Sequence, residues 1–500
     1  MTQSIYEHPA QATALHQPMD VVIMAAGKGT RMKSRLPKVL HRLAGRALLD
    51  HVITTSAGLM ARSTTLITGH GAMEVEAATA GWISARGLKD LNFVRQEPQL
   101  GTGHAVQQAL PFLPDDGVAL ILNGDVPLIE EDTLRALLAE CAGSHLALLT
   151  VDMPDPTGYG RIVRAVQASG LAARTLGDQA DQADQTDVLA IVEHKDATPD
   201  QRAITEIYTG VMAVPNRLLR GWLARLRNDN QQGEFYLTDI VKFAVADGAV
   251  VRARRIEDRV QVDGVNSPVQ LAELERAYQR RYAAQLMAQG VRLADPARFD
   301  VRGQLRCEQD VDIDVNCVFE GEVSLGEGVR IGANCVIANA TIASGAVIHP
   351  FTHIDGEALG VEVGAGALIG PFARLRPGAR LAEQVHVGNF VEIKNSSLAK
   401  GAKANHLAYL GDATVGERVN YGAGSITANY DGANKHRTVI EDDVHIGSNC
   451  VLVAPLTIGR GGTVGGGSTI TKSTPAGALS VARGRQMQIA NWARPAKKAS

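Results

Sequence analysis

A six-residue period constrains this chain more than any other feature. Between about Ile313 and Ile470 every sixth residue tends to be aliphatic. One run is Ile440, Ile446, Leu452, Ile458, Val464, Ile470; another is Val363, Ile369, Leu375, Leu381, Val387, Ile393; a third is Leu325, Ile331, Ile337. Six is neither the 3.6 of a helix nor the 2 of a strand. It predicts a parallel β-helix of hexapeptides, each making one flat face, with the aliphatic side chains stacked coil upon coil as a continuous core. Abundant glycine (51 residues) suits its tight corners, and the low aromatic content (4%) suits small-residue coils.

Five hundred residues, 45% of them hydrophobic, allow two or three domains with sizeable cores. A formal net charge of -3 gives no general attraction to nucleic acid or membranes. Cys141, Cys307, Cys317, Cys335 and Cys450 are odd in number and contain no CxxC. They read as reduced, mostly buried thiols of an intracellular protein. No stretch of 18 apolar residues suggests a membrane span. Residues 1–19, with Glu7, His8, Pro9, His16 and Pro18, have no basic start or apolar stretch of a secretory signal and read as a disordered extension.

Ahead of the repeats, strand-like and helical runs alternate, as in a doubly wound α/β sheet. Asp20-Val-Val-Ile-Met-Ala-Ala26 reads as a buried strand leading into Gly27-Lys28-Gly29-Thr30-Arg31-Met32 and then Pro37-Lys38. Glycines there let backbone N–H groups approach phosphate, and Lys28, Arg31 and Lys38 add charge. Alone, the loop reads equally as a phosphate cradle or a surface turn. A second strand, Val118–Asn123, ends in Gly124-Asp125-Val126-Pro127. Asp125 at a strand's carboxyl end is either a Mg²⁺ ligand or a helix-capping carboxylate.

The block Ala25-Ala-Gly-Lys-Gly-Thr-Arg-Met32 with Pro37-Lys38 resembles the signature of sugar-1-phosphate nucleotidyltransferases. Gln99-Leu-Gly-Thr-Gly-His-Ala105, Asn123-Gly-Asp-Val-Pro127, Gly158-Tyr-Gly-Arg-Ile162 and Ile191-Val-Glu-His-Lys-Asp196 follow in that family's order. Joined to a hexapeptide solenoid, the chain resembles the bacterial bifunctional N-acetylglucosamine-1-phosphate uridyltransferase / glucosamine-1-phosphate N-acetyltransferases from residue 20 to about 495. The resemblance implies an α/β domain followed by a left-handed β-helix. It implies acetyl transfer from acetyl-CoA to glucosamine-1-phosphate, then uridylyl transfer from UTP with release of pyrophosphate. Such an enzyme is cytoplasmic, supplies peptidoglycan and lipopolysaccharide precursors, and is a homotrimer through its β-helix, with active sites at subunit interfaces.

Residue roles follow from the same resemblance. Met24, Ala25, Ala26, Gly27 and Asn123 line the nucleotide; Arg31 and Lys38 neutralise its triphosphate; Gln96, Gly101 and Thr102 read uracil and ribose. Asp125 and Asn266 bind Mg²⁺. Gly160, Glu193 and Thr238 contact the sugar. The family's Glu-Ile-Asn-Thr-Gly block reads Glu206-Ile-Tyr-Thr-Gly210 here, so Tyr208 replaces a sugar-holding Asn. In the solenoid His406 is the general base and Glu392 orients its ring. Arg376 and Lys394 hold the sugar phosphate, and Tyr409, Asn420, Asn429, Tyr430 and Lys435 complete the pocket. Ala423, Ser448, Gly466 and Arg483 take acetyl-CoA. The hexad register breaks after Tyr421 and resumes at Ile440, a usual place for binding residues.

The expected divisions are a uridyltransferase domain over 20–266, a linker helix over 267–289, a β-helix over 290–484 and a basic tail over 485–500. An acidic stretch near 166–188 reads as a solvated loop. The rival readings are a nucleotidyltransferase whose β-helix only oligomerises or senses an effector, and a non-catalytic scaffold descended from such an enzyme, toward which only the Tyr208 departure points.

Overall fold

The computed structural model describes residues 18–86, 91–165 and 188–495. Most of the expected N-terminal extension, almost all of the acidic stretch and the last five residues of the tail lie outside them. Contacts divide the chain into two units, Met1–Ala277 and Tyr278–Ser500.

The first apolar run forms the strand Met19–Met24, in the middle of a mixed sheet. The order across the sheet is Val251–Ile256, Leu146–Asp152, Glu206–Pro215, Val118–Asn123, Met19–Met24, Ser63–Thr68, Leu91–Arg95. Neighbours are parallel except Glu206–Pro215, which runs antiparallel to both of its own. Val22 packs into one core, with Val106, Leu237 and Ile240; Val21 and Ile23 pack into another, with Leu49, Val52 and Leu120. Helices covering both faces explain why this strand is apolar at successive positions rather than alternate ones. The hairpin Arg161–Arg164 with Val188–Val192 attaches to Glu206–Pro215 through the pair Ile207 and Arg161.

The second unit is a parallel β-helix. Three ladders of short strands run along it, and Phe299–Cys307, Cys317–Leu325 and Val336–Ile342 are long enough to bend across two faces. The hexad aliphatics fill the interior: Ile337, Ile369, Leu375, Ile393, Leu452 and Ile458 are fully buried. The strand Phe299–Cys307 is an edge, which leaves backbone groups unpaired unless covered. Gln279 and Tyr282, from the helix Pro268–Ala288, cover it. The Gln279 side chain donates to the Val301 carbonyl (2.8 Å) and accepts from the Val301 N–H (2.9 Å); the Tyr282 hydroxyl does the same at Leu305 (3.0 and 3.1 Å). The second half of that helix, expected as a spacer, is thus the cap of the solenoid.

One corner of the solenoid is a column of left-handed residues: Asn334, Phe351, Phe372, Phe390, Leu407, Gly424 and Asn449. The three phenylalanine rings stack at centroid distances of 5.0 and 5.3 Å and lie open to solvent, as does Leu407. The register break is a lateral loop: strand pairing steps from Asn420 to His445 across it, but from His445 only to Thr463 in the next coil. Among the described residues no helix is long and apolar enough to cross a membrane.

Candidate active sites

In the first unit the glycine-rich loop and the carboxyl ends of two central strands enclose a cavity of about 500 Å³. Met24, Ala26, Gly27, Lys38, Gln96, Gly101, Thr102, Asn123 and Asp125 line it, all expected; Lys28, Gln99, Ala105 and Glu234 also do. Gln99 donates to the Ala26 carbonyl at 2.6 Å and so holds the loop. Arg31 is exposed on the short turn Thr30–Met32 and is not among the lining residues.

Lys38 ties one end of the cavity together. Its ammonium pairs with the Asp125 carboxylate and donates to the Asn266 side-chain carbonyl at 3.2 Å. The Val265 N–H donates to the Asp125 carbonyl (3.0 Å), so the Asp263–Asn266 segment is sewn to the end of the central strand. Two hard oxygens, one charged and one neutral, therefore converge on a single cation position. That donor set fits Mg²⁺, which takes one or two protein oxygens and completes its shell with water and phosphate. Among the described residues no cluster of three or more His, Cys, Asp or Glu offers a fuller metal site.

The expected sugar contacts gather beyond the lining of that cavity. Thr238 donates to Glu193 at 2.9 Å, and burial raises the Glu193 carboxyl above the usual range. A Cβ on Gly160 would fall 3.6 Å from the Glu193 carboxylate, and the Tyr208 N–H donates to the Gly160 carbonyl (2.9 Å). The Tyr208 side chain is buried, and among the described residues its hydroxyl has no hydrogen-bond partner. Burial, then the nearby Glu193 charge, push its phenol far up, so it stays a protonated donor. Strand register shifts between Tyr208 and Met212; there Gly210 has φ +87°, and a Cβ on it would meet the Asn123 amide at 2.1 Å. Only glycine satisfies both the backbone angle and that approach.

In the second unit the left-handed corner organises the expected residues. Directly before successive corner residues stand Asn389, His406, Ala423, Ser448 and Gly466, one per coil. Each hands its carbonyl to the following coil: Asn389 to Leu407 N–H, His406 to Gly424, Ala423 to Asn449, Ser448 to Gly467. The Arg483 guanidinium donates to the Gly466 carbonyl at 2.7 Å. At roughly 4.8 Å per coil this column extends about 19 Å. The residue expected as the base and the four expected for acetyl-CoA therefore share one edge.

A neighbouring face carries the cations. Arg376 donates to Glu392 at 2.7 Å, and Arg374 approaches the same carboxylate. Lys394 is pushed down, by desolvation first and then by the charges of Arg376 and Lys435. Three cations thus crowd one place, an arrangement stabilised by an anion. Tyr409 pairs in register with Glu392, and its ring lies against Gly411. Buried Asp412 accepts from both Asn395 and Asn429 (2.5 Å each) and so anchors the lateral loop. Within that loop Tyr430 bridges Lys435, and Asp431 takes the Asn434 and Ala433 N–H groups and the His436 ring. Those contacts, the Asn434 N–H foremost, hold the Asp431 carboxyl well below the usual range. Asn420 is not on this face; it stands in register with Lys403 and His445.

Among the described residues Glu392 makes no hydrogen bond to His406 within the chain. Ladder register places Glu392 between Arg374 and Tyr409 on one face, whereas His406 lies on another, paired with Asn389. The His406 Nδ1 lies 2.9 Å from the Asn389 side-chain oxygen.

Residues 21–179 match the MobA-like NTP transferase domain, and residues 437–472 match six repeats of the bacterial transferase hexapeptide. A bifunctional protein GlmU of Polaromonas naphthalenivorans is 74% identical over 485 residues, covering 97% of this chain and 99% of that one. The chain belongs to the bifunctional GlmU family. GlmU proteins of Albidiferax ferrireducens (71% over 483 residues) and Cupriavidus pinatubonensis (53% over 481) each match 96% of this chain along their whole length. Family membership makes the chain a bifunctional transferase, with uridylyl transfer in the first unit and acetyl transfer in the second, the two activities its motifs implied.

Proposed function

We propose that the two sites divide the work as follows. In the first unit the cavity holds UTP: the Gly27 loop and Lys28 meet the phosphates, Gln96, Gly101 and Thr102 meet the base and ribose, and Arg31 closes on the triphosphate. N-acetylglucosamine-1-phosphate lies toward Gly160, Glu193, Tyr208 and Thr238. Its phosphate oxygen attacks the α-phosphorus in line, and pyrophosphate leaves. No protein nucleophile takes part; positioning and charge neutralisation lower the barrier. Asp125 and Asn266 would hold Mg²⁺, which, when bound, neutralises phosphate charge. Lys38, alongside them, serves the same triphosphate.

In the second unit His406 accepts a proton from the glucosamine amine as nitrogen attacks the thioester carbonyl, and the C–S bond to CoA breaks. Arg376, Lys394 and Lys435 hold the sugar phosphate, with Tyr409, Asn429 and Tyr430 around the ring. Ala423, Ser448 and Gly466, small or short, let the pantetheine arm run along the corner toward Arg483. The observation carrying this assignment is that single corner, where His406 and the acetyl-CoA residues lie in consecutive coils.

Asn420 stands on a different face from the cations, so we assign it to the site of a second copy. The stacked Phe351, Phe372 and Phe390 with Leu407 form an uncovered apolar column beside the catalytic edge, and Met487, Ile489 and Trp492 of the tail are also exposed. Such surfaces are buried by association, and these support a homotrimer with shared active sites. Free cysteines together with UTP and acetyl-CoA as co-substrates support a cytoplasmic location.

The test is a crossed pair in the full chain. His406→Ala should abolish CoA release while uridylyl transfer continues, and Asp125→Ala should do the reverse. A His406→Ala protein that still acetylates glucosamine-1-phosphate would refute the assignment of the base.

A further inference from the structure

We infer that Asn389 is the positioning residue for the general base. The inference rests on the reading of His406 as that base. Asn389 and His406 are register partners on adjacent coils, in the strands His386–Asn389 and Lys403–His406. The parallel ladder therefore fixes their backbones opposite each other. The His406 ring is exposed, and among the described residues its one hydrogen bond is the 2.9 Å contact from Nδ1 to the Asn389 Oδ1. An amide oxygen only accepts, so Nδ1 carries the hydrogen and the lone pair is left on Nε2. An amide selects this tautomer and aims the ring without adding a charge.

No other group on these strands competes for the ring. The strand of Asn389 and the flanking strand Asn420–Tyr421 carry His386 and Tyr421 as their titratable residues. His386 pairs in register with Lys403, and Tyr421 is buried inside the coil. Asp412, the carboxylate nearest to His406 in sequence, is taken by Asn395 and Asn429, and Glu392 is held by Arg376. During transfer the amine nitrogen forms the C–N bond and loses its proton to Nε2. As the C–S bond breaks, that proton can pass to the departing sulfur, so the imidazole ends neutral and in the same tautomer.

The test uses Asn389→Leu, Asn389→Asp and His406→Ala in the full chain, with melting temperature as the check on folding. Asn389→Leu removes the acceptor. It should lower kcat of acetyl transfer about ten- to a hundredfold while KM for both substrates stays within about twofold. Imidazole ¹⁵N signals of His406 should show the Nδ1–H tautomer losing its dominance. Asn389→Asp keeps an acceptor oxygen and should restore most of kcat. Its new carboxylate should move the acid limb of the pH profile upward, because a neighbouring anion favours the imidazolium. An Asn389→Leu protein with wild-type kcat and an unchanged tautomer would overturn the proposal. So would a folded Asn389→Asp protein as slow as the leucine variant. Acetyl transfer by His406→Ala would instead overturn the base assignment beneath it.

Discussion

Tyr208→Phe separates stability from recognition, because the two effects have opposite signs. The Tyr208 side chain is 9% exposed and its hydroxyl is buried without a partner. A buried unsatisfied polar group costs about 1–3 kcal/mol. Phenylalanine keeps the ring packed among the buried residues around Ile162, Ile191 and Leu237 and removes only the orphan oxygen. The free protein should gain about 1 kcal/mol, which in a domain of this size raises Tm by about 2–4 °C. With N-acetylglucosamine-1-phosphate bound, the wild-type hydroxyl finds its acceptor; losing a neutral hydrogen bond of about 1 kcal/mol lowers kcat/KM about fivefold. Glucose-1-phosphate, which lacks the acetamido group, should show a smaller change if that group is the acceptor. Tyr208→Asn would restore the family residue but empty the volume of a ring, and should destabilise by about 2–4 kcal/mol. The assays are calorimetry and pyrophosphate release with both sugar phosphates. A Tyr208→Phe protein with lower Tm and unchanged kcat/KM would show that the hydroxyl is a structural partner and not a sugar reader.

Three further perturbations test the rest of the structure. Lys394→Met removes one of three crowded cations and should raise KM for glucosamine-1-phosphate about tenfold or more, since each charge-assisted bond contributes about 1.5–3 kcal/mol; an unchanged KM would move the phosphate elsewhere. Asp431→Ala should loosen the lateral loop and raise the same KM about three- to tenfold, with uridylyl transfer unaffected. Because the Asp431 carboxyl sits well below its ordinary value of 3.8, its hold on the loop is fully present above that pH and is lost as pH falls through the depressed value; hydrogen exchange at residues 431–436 compared between about pH 1 and 6 reads this directly. Arg164 and Glu206 form a buried pair at 2.7 and 2.8 Å, with Thr150 donating to the same carboxylate. Arg164→Met should destabilise the first unit by about 3–5 kcal/mol in denaturant titration, and a loss below about 1 kcal/mol would mean that solvent reaches Glu206.

Periodicity in the sequence reported what points inward, and what points inward proved regular. Aliphatics such as Ile369 and Leu452 recur because each hexad must fill the same interior space. Strand Met19–Met24 was equally legible, since burial on both faces demands an unbroken apolar run. Roles that depend on contact between coils were not. Glu392 and His406 are 14 positions apart, which suggests neighbours, but the ladder offsets coils by 17 or 18 residues and sends them to different faces. That offset, applied to His406, points to Asn389. Gln279 and Tyr282 were unreadable for another reason: their partners are backbone groups of an edge strand, which no side-chain pattern records. Tyr208 could be seen as a departure from the family block, but the lack of a partner for its hydroxyl only emerges once the strand is packed.

The corner column explains why one stretch can be both scaffold and enzyme. In a hexapeptide coil the inward residue is fixed by core volume and the corner residue by left-handed backbone geometry. The residue before the corner is bound by neither requirement. Its carbonyl is committed to the next coil, but its side chain faces out. This is the position held by Asn389, His406, Ala423, Ser448 and Gly466. Consecutive coils therefore present a linear array of freely chosen side chains at about 4.8 Å spacing, which suits an extended ligand. The lateral loop interrupts the array between Ala423 and Ser448 without breaking it, because the strands on either side still pair in register, Asn420 with His445 and Tyr421 with Ile446. An insertion at that point can add sugar contacts while leaving the proposed base and the proposed acetyl-CoA residues aligned.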